Sequence, residues 1–308
     1  MRQQGQAEIA ALIGASVSKV SRLLAEARRQ GIVTIHVAAS RVGESEFERE
    51  LAGRLGLQAV YVAPARVADA SVASRAAALM AARMLSGVLP AQGVVGVSGG
   101  YTVSQLAHAL EPLPGLDLTI VPLQGNWVEG GLHMHNDQVC RDAANRLQAR
   151  ALSLPAPMVV DRADTRDALL RDRSIRPVTS RWSELDVAVV GIGPPPGGEG
   201  LDYLSVMGQL PSEVRAELQH LRVVGDLCGH MFNDGGHFVE HEVSRRTLSI
   251  SVDELRRVPQ VVAVAGGVSK AVSLLGAVRT RIPSVLITDQ LTAESLATLT
   301  EVTETSGS

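Results

Sequence analysis

Cysteine is scarce in this chain. Cys140 and Cys228 are the two among 308 residues, too few for a disulfide framework and suited to a reducing compartment. No apolar run approaches the ~20 residues needed to cross a bilayer, and no signal-peptide pattern precedes the first helical segment. The expectation is a cytoplasmic protein with no membrane partner. Lysine is as rare: Lys19 and Lys270 are the two among 29 basic residues, so each position raises the question of its use. Net charge is −3, and the molecule as a whole offers nothing to nucleic acid. Nucleotide fingerprints are missing as well. No G-x-x-x-x-G-K-[ST] occurs, and Gly96 to Gly100 does not spell G-x-G-x-x-G, which argues against NTPase and dinucleotide readings. No internal repeat or low-complexity block appears.

What is present begins at the N-terminus. Residues 1–30 carry five basic side chains (Arg2, Lys19, Arg22, Arg28, Arg29) against Glu8 and Glu26, a local balance of +3 that leaves −6 for the rest. Phosphate attraction is thereby confined to this end. Gln6 to Leu24 reads as two short helices joined at Gly14, the second opening on Ser16, whose hydroxyl can cap the first turn. Ile9, Leu12 and Ile13 form one apolar stripe, and Val20, Leu23, Leu24 and Ala27 another. Packing the stripes together leaves Ser18, Lys19, Ser21, Arg22 and Arg29 outward. A polar, basic second helix of this kind is the reading element of a helix-turn-helix. The predicted DNA-binding residues are Ser16, Ser18, Lys19, Ser21 and Arg22, with double-stranded operator DNA as partner. An ordinary surface hairpin with a solvated basic face is the plainer reading.

Thr34 to Val37 extends a strand-like run, and a polar stretch leads to a helix over 46–55. Apolar strand patterns then alternate with helical ones. The predicted strands are Gln58–Val62, Val94–Val97, Leu118–Leu123, Met158–Val160, Val187–Ile192, Val261–Ala265 and Ser284–Ile287. The predicted helices are Ser71–Gly87, Val103–Leu110, Asn136–Ala149, Ser269–Arg279 and Ala293–Leu299, with the tail from Thr300 frayed. Continuous Val/Ile/Leu strands separated by helices imply an α/β fold, a doubly wound and largely parallel sheet covered on both faces. The expected domains are a helix-turn-helix over 1–35, a linker over 36–48 and an effector domain over 49–308.

Ligands of such sheets bind beyond the carboxyl ends of the strands. Four loops there are rich in glycine and small polar residues: Ser98-Gly99-Gly100-Tyr101-Thr102, Gln124-Gly125-Asn126-Trp127, Gly193 with its proline-glycine run, and Gly266-Gly267 ahead of Lys270. Glycine lets the backbone approach a ligand, and a following helix offers free N–H groups to an anion. Glycine is common in α/β turns in general, so the four loops argue together and weakly one by one. His133-Met134-His135 with Asp137 lacks a recognised metal-ligand spacing, and neither metal nor cofactor is expected. Asp234-Gly235-Gly236-His237 and Glu240-His241-Glu242 read as exposed turns. Trp127 could stack on a sugar or fill the core, and Asp289 reads as a helix cap.

Val20-Ser21-Arg22-Leu23-Leu24-Ala25-Glu26-Ala27-Arg28 with Gly31-Ile32-Val33, Val224-Gly225-Asp226-Leu227-Cys228-Gly229, Ile250–Leu255, Val262–Gly267 and Leu286–Asp289 carry a resemblance. The chain resembles SorC-type (SorC/DeoR) sugar-responsive bacterial transcriptional regulators over nearly its whole length. The resemblance implies an effector domain similar to sugar-phosphate isomerases, a phosphorylated sugar as effector, palindromic operators, dimers or tetramers, and repression. It matches Gly99-Gly100-Tyr101-Thr102 to the family's phosphate loop, with Tyr101 where many members carry arginine. It matches Lys270 to a phosphate-contacting lysine, and places Asp226 and the Arg245-Arg246 pair at the pocket; Asn233 replaces a common aspartate. It also implies a helix ahead of Gln6–Ile13 that this sequence does not contain. The expected effector set is therefore Ser98, Gly99, Gly100, Tyr101, Thr102, Gln124, Gly125, Asn126, Gly193, Asp226, Arg245, Gly266, Gly267 and Lys270.

The isomerase kinship supplies the competing function, a sugar-phosphate isomerase or deaminase. Such enzymes place an Asp-Gly-His group shortly after a strand ending in Gly-x-Gly. Here Gly191-Ile192-Gly193 runs into Pro194-Pro195-Pro196-Gly197-Gly198, with neither the acid nor the histidine that proton transfer at carbon needs. The expectation is a regulator and not an enzyme.

Overall fold

The computed structural model describes residues 10, 12, 14–20, 22, 45–127, 135–197 and 210–305. The chain divides into two units, Met1–Gly43 and Glu44–Ser308. In the first, Gly14 takes a φ of 65° and residues 17–20 and 22 are helical. The Ser16 hydroxyl accepts from the Lys19 N–H at 3.2 Å, the predicted cap. Ala10 and Val20 are buried, while Ser18, Lys19 and Arg22 are exposed. Leu12 departs from its predicted stripe and is 74% exposed. Two residues from buried Ala10, it lies about 200° round the helix and cannot share that face. Ile9, Ile13, Ser21, Leu23, Leu24 and the Thr34–Val37 run lie outside the described residues.

The second unit is an α/β sandwich. Its elements are α1 (Glu46–Leu55), β1 (Ala59–Ala63), α2 (Ala70–Leu85), β2 (Gln92–Val97), α3 (Tyr101–Ala109), β3 (Asp117–Pro122), α4 (Asn136–Leu147) and β4 (Arg150–Ala151). They continue with α5 (Ala163–Arg171), α6 (Arg176–Thr179), β5 (Val187–Gly191), α7 (Ser212–His220), β6 (Val223–Leu227), β7 (His230–Asn233), α8 (Glu242–Arg245) and α9 (Val252–Arg257). Last come β8 (Gln260–Val264), α10 (Ala271–Arg279), β9 (Val285–Asp289) and α11 (Gln290–Thr305). Seven strands form a parallel sheet in the order β1-β9-β8-β5-β2-β3-β4. The antiparallel pair β6–β7 stands apart from it.

Strand periodicity explains the sandwich. Val60, Ala188, Val190, Val261, Ala263 and Leu286 point to a core shared with α1, α10 and α11. Their neighbours Ala59, Val187, Val189, Val262, Val264 and Ile287 point to a core shared with α2, α3 and α4. Both faces are covered, so both alternating sets are apolar and the strands read as unbroken runs. A capping box fastens α1 to the sheet. Glu48 Oε2 accepts from the Ser45 N–H at 2.7 Å, while Oε1 reaches the Val62 N–H on β1 at 2.7 Å.

Two expectations for this unit fail, and one hairpin was not foreseen. Met158–Val160 forms no strand; it is pinned by single bridges, Val159 to Thr247 and Asn126 to Pro157, because its neighbours are short segments with no ladder to extend. The tail beyond Thr300 is helical through Thr305, since buried Leu296 and Thr300 hold α11 against the sheet. The β6–β7 hairpin goes unpredicted, as Gly225, Asp226, His230 and Asn233 interrupt its apolar pattern.

Candidate functional site: a cleft at the sheet switch point

After β2 the chain runs toward β3, and after β5 it runs toward β8, on opposite sides. Adjacent strands whose connections diverge leave a crevice at their carboxyl ends. An open cleft lies there. Ser98 stitches its floor. Its buried hydroxyl accepts from the Gly191 N–H at 3.0 Å and donates to the Gly99 carbonyl at 3.1 Å, tying the β2 loop to the end of β5.

Gly100 precedes α3 with φ 113°, and no side chain caps the helix. A first turn without a side-chain cap, here Tyr101, Thr102 and Val103 on the cleft wall, presents N–H groups and the positive end of the helix dipole. Lys270 enters from the loop after β8, its Nζ donating to the Ile192 carbonyl at 3.2 Å. Asp226, at the end of β6, is buried. Its Oδ2 accepts from the Gly229 N–H at 2.8 Å, and its carbonyl accepts from the Gly193 N–H at 3.0 Å. Burial raises the Asp226 carboxyl above its ordinary range, and the Lys270 charge opposes that shift. These two are the charged groups among the described lining residues.

The hairpin beyond Asp226 turns through Cys228 (φ 49°) and Gly229 (φ 82°), consecutive positive φ values of the kind two-residue hairpins use. Burial pushes the Cys228 thiol well above its ordinary value, and the nearby Asp226 adds to the shift; it lines the cleft as a neutral, unreactive group. Glycines admit the close approaches. A Cβ on Gly193 would sit 1.8 Å from Asp226 Oδ1, and one on Gly125 would sit 2.5 Å from the Pro157 carbonyl oxygen.

Ser98, Gly99, Gly100, Tyr101, Thr102, Gln124, Gly125, Gly193, Asp226 and Lys270 of the expected effector set line this cleft. Asn126, Gly266, Gly267 and Arg245 lie outside it. Asn126 forms a reciprocal clamp with Asp137: its Oδ1 accepts from the Asp137 N–H at 3.0 Å and its Nδ2 donates to Asp137 Oδ2 at 3.3 Å. Asp137 is used further by Ser153 and the Leu154 N–H, so its carboxylate serves structure. Gly266 lies against the backbone of α2, where a Cβ would meet the Ala73 carbonyl oxygen at 2.4 Å. Gly267 donates its N–H to buried Asp289 at 2.7 Å, and Asp289 also accepts from the Thr292 N–H as the cap of α11. Arg245 is 67% exposed and pairs with Glu240 on a separate surface.

Asn136, Met158 and Cys228 line the cleft unpredicted, and Trp127 joins them. Asn136 was open to discovery, being the first residue of the helix after β3 and so at the same sheet edge as Gln124. His133 and Met134 lie outside the described residues.

A family model, Sugar-bind, a sugar-binding domain, matches residues 40–298. The chain is 30% identical over 294 residues to the sorbitol operon regulator of Klebsiella pneumoniae, covering 94% of this chain and 92% of that protein. The chain belongs to the SorC-type sugar-binding regulator family. The deoxyribonucleoside regulator of Bacillus subtilis (strain 168) is 27% identical, with 94% and 92% covered. The crystal structure of full-length SorC from Klebsiella pneumoniae superposes with a TM-score of 0.80 at 28% identity, covering 95% of this chain and 93% of that one. A DeoR family transcriptional regulator from Listeria monocytogenes superposes at 0.72 and 26% identity, covering 82% and 98%. As a SorC-type member the chain is a transcriptional regulator, and the isomerase alternative falls away with that membership.

Proposed function

We propose that this regulator is an operator-binding repressor released when a phosphorylated sugar, or a related small polar metabolite, enters the switch-point cleft. The observation that carries the reading is the convergence of Lys270 with the uncapped start of α3 across a glycine-lined crevice, an arrangement suited to an anionic group. In this reading residues 1–35 bind DNA through Ser16, Ser18, Lys19, Ser21 and Arg22, residues 36–48 link, and residues 49–308 sense the effector. The protein works in the cytoplasm as a dimer or tetramer, so that two reading helices meet a palindromic site. Ligand closes the loops around Ser98–Thr102, Asp226 and Lys270 and changes the spacing of those helices. A coupling of ~1–3 kcal/mol changes operator affinity about 5- to 150-fold.

Thermal-shift screening of phosphorylated sugars, followed by fluorescence anisotropy on genomic DNA selected for binding, tests this. Arg22→Ala is expected to weaken operator binding and spare effector binding. Lys270→Ala is expected to do the reverse. Equal loss of both activities in either variant counts against the assignment.

A further inference from the structure

The β3 side of the cleft carries a second kind of chemistry. Asn136 is 1% exposed. Its Nδ2 donates to the Gln124 carbonyl at 2.8 Å, which fixes which side-chain atom is the oxygen. That oxygen, Oδ1, is shut from water and has no hydrogen-bond partner among the described residues. It faces the Gly99 loop, where a Cβ would stand 3.7 Å away. The Trp127 Nε1 is likewise buried and unpartnered among the described residues. Both residues line the cleft.

One acceptor and one donor left unpaired is unusual, because buried polar groups are nearly always bonded. The Asn126–Asp137 clamp relates them: Trp127 follows Asn126 and Asn136 precedes Asp137, so the two bonds between Asn126 and Asp137 bring the pair together. Their place is also defined against the charged residue. β3 and β8 lie three strands apart, roughly 14 Å at about 4.8 Å per strand, so the pair and Lys270 flank the crevice.

We propose that Asn136 Oδ1 and Trp127 Nε1 form a hydroxyl-reading pair, the effector's hydroxyls donating to the first and accepting from the second. This rests on the cleft being the effector site. A hydroxyl is the group that fits, since it donates and accepts at one atom. A carboxylate or phosphate oxygen would set lone pair against lone pair at Asn136.

Isothermal titration of the full chain with methyl phosphate, glycerol 3-phosphate and a hexitol 6-phosphate tests the pair, the anionic group being constant while hydroxyls are added. The wild type is expected to prefer the hexitol phosphate over methyl phosphate by at least about tenfold. Trp127→Phe removes Nε1 and keeps the ring, and is expected to cut that preference about tenfold. Asn136→Ala is expected to cut it as well; it also loses the Gln124 bond, so Trp127→Phe carries the test if Asn136→Ala fails to fold. Equal affinity for all three probes in the wild type, or a preference unchanged in the folded variants, overturns the pair and leaves the anion reading standing. If no phosphate binds, the anion reading fails. The unphosphorylated hexitol then decides, upholding the pair by binding in a Trp127-dependent way and overturning it by not binding.

Discussion

Two glycine loops at the same edge of one sheet have opposite uses. Ser98-Gly99-Gly100 follows β2 and Gly266-Gly267 follows β8, and each leads into helical residues. At β2 the connections of neighbouring strands diverge, so the loop borders open space and its glycines line the cleft. At β8 the chain passes under α2, with the Ala73 backbone against Gly266 and Asp289 holding Gly267. Glycine makes close approach feasible in both places. Topology decides whether a ligand or the protein's own backbone does the approaching.

The largest test of that contrast is Gly266→Ala. Its Cβ would stand 2.4 Å from a backbone oxygen, which cannot swing aside, so the cost is expected as overpacking of about 3 kcal/mol. Denaturant unfolding would show it, while the folded fraction keeps wild-type effector affinity. A loss of affinity without a loss of stability would reverse the roles assigned to the loops. Next comes Gly193→Ala, where the atom met is the end of the Asp226 side chain. A carboxylate can move, so the expected cost falls on the site: effector affinity drops about tenfold or more, some 1.4 kcal/mol, read by calorimetry.

Much of this contrast was hidden in the sequence, and the reasons are specific. The strand–glycine–helix signature at Val97–Tyr101 and the isolated lysine at 270 were legible, and both line the cleft. The same signature at 265–270 brings Lys270 to the cleft and leaves Gly266 and Gly267 outside it. Contact with Ala73 depends on residues nearly two hundred positions away. Asn126 and Asn136 pose the same difficulty. Either could face the cleft, and the clamp with Asp137 takes up Asn126 and leaves Asn136 on the lining. The sheet itself was plain because its strands are buried on both faces. The β6–β7 hairpin was obscured by the polar residues that make it useful, Asp226 above all.

Asp226 gives a smaller effect with a definite sign. Burial holds its carboxyl above the ordinary 3.8, so the folded chain keeps a proton that the unfolded chain has already lost. Stability therefore falls as pH climbs from 3.8 through the folded value, and stays lowered above it. Asp226→Asn cannot ionise and is expected to raise the melting temperature near neutral pH. The gain fades as pH falls toward 3.8 and is gone below it, where the wild-type group is protonated in both states. A gain that persists unchanged at low pH would mean that packing, and not charge burial, is responsible.

Arg245→Ala sets the lower bound of the comparison. The resemblance assigned this side chain to the pocket, but it stands in solvent beside Glu240. An exposed pair of this kind contributes little, and the substitution is expected to change stability by less than about 0.5 kcal/mol. Effector affinity is expected to match the wild type, in contrast to Gly193→Ala. If calorimetry instead finds a tenfold loss, α8 must swing toward the cleft when ligand binds. The division between cleft-facing and structural residues would then hold for the ligand-free chain alone.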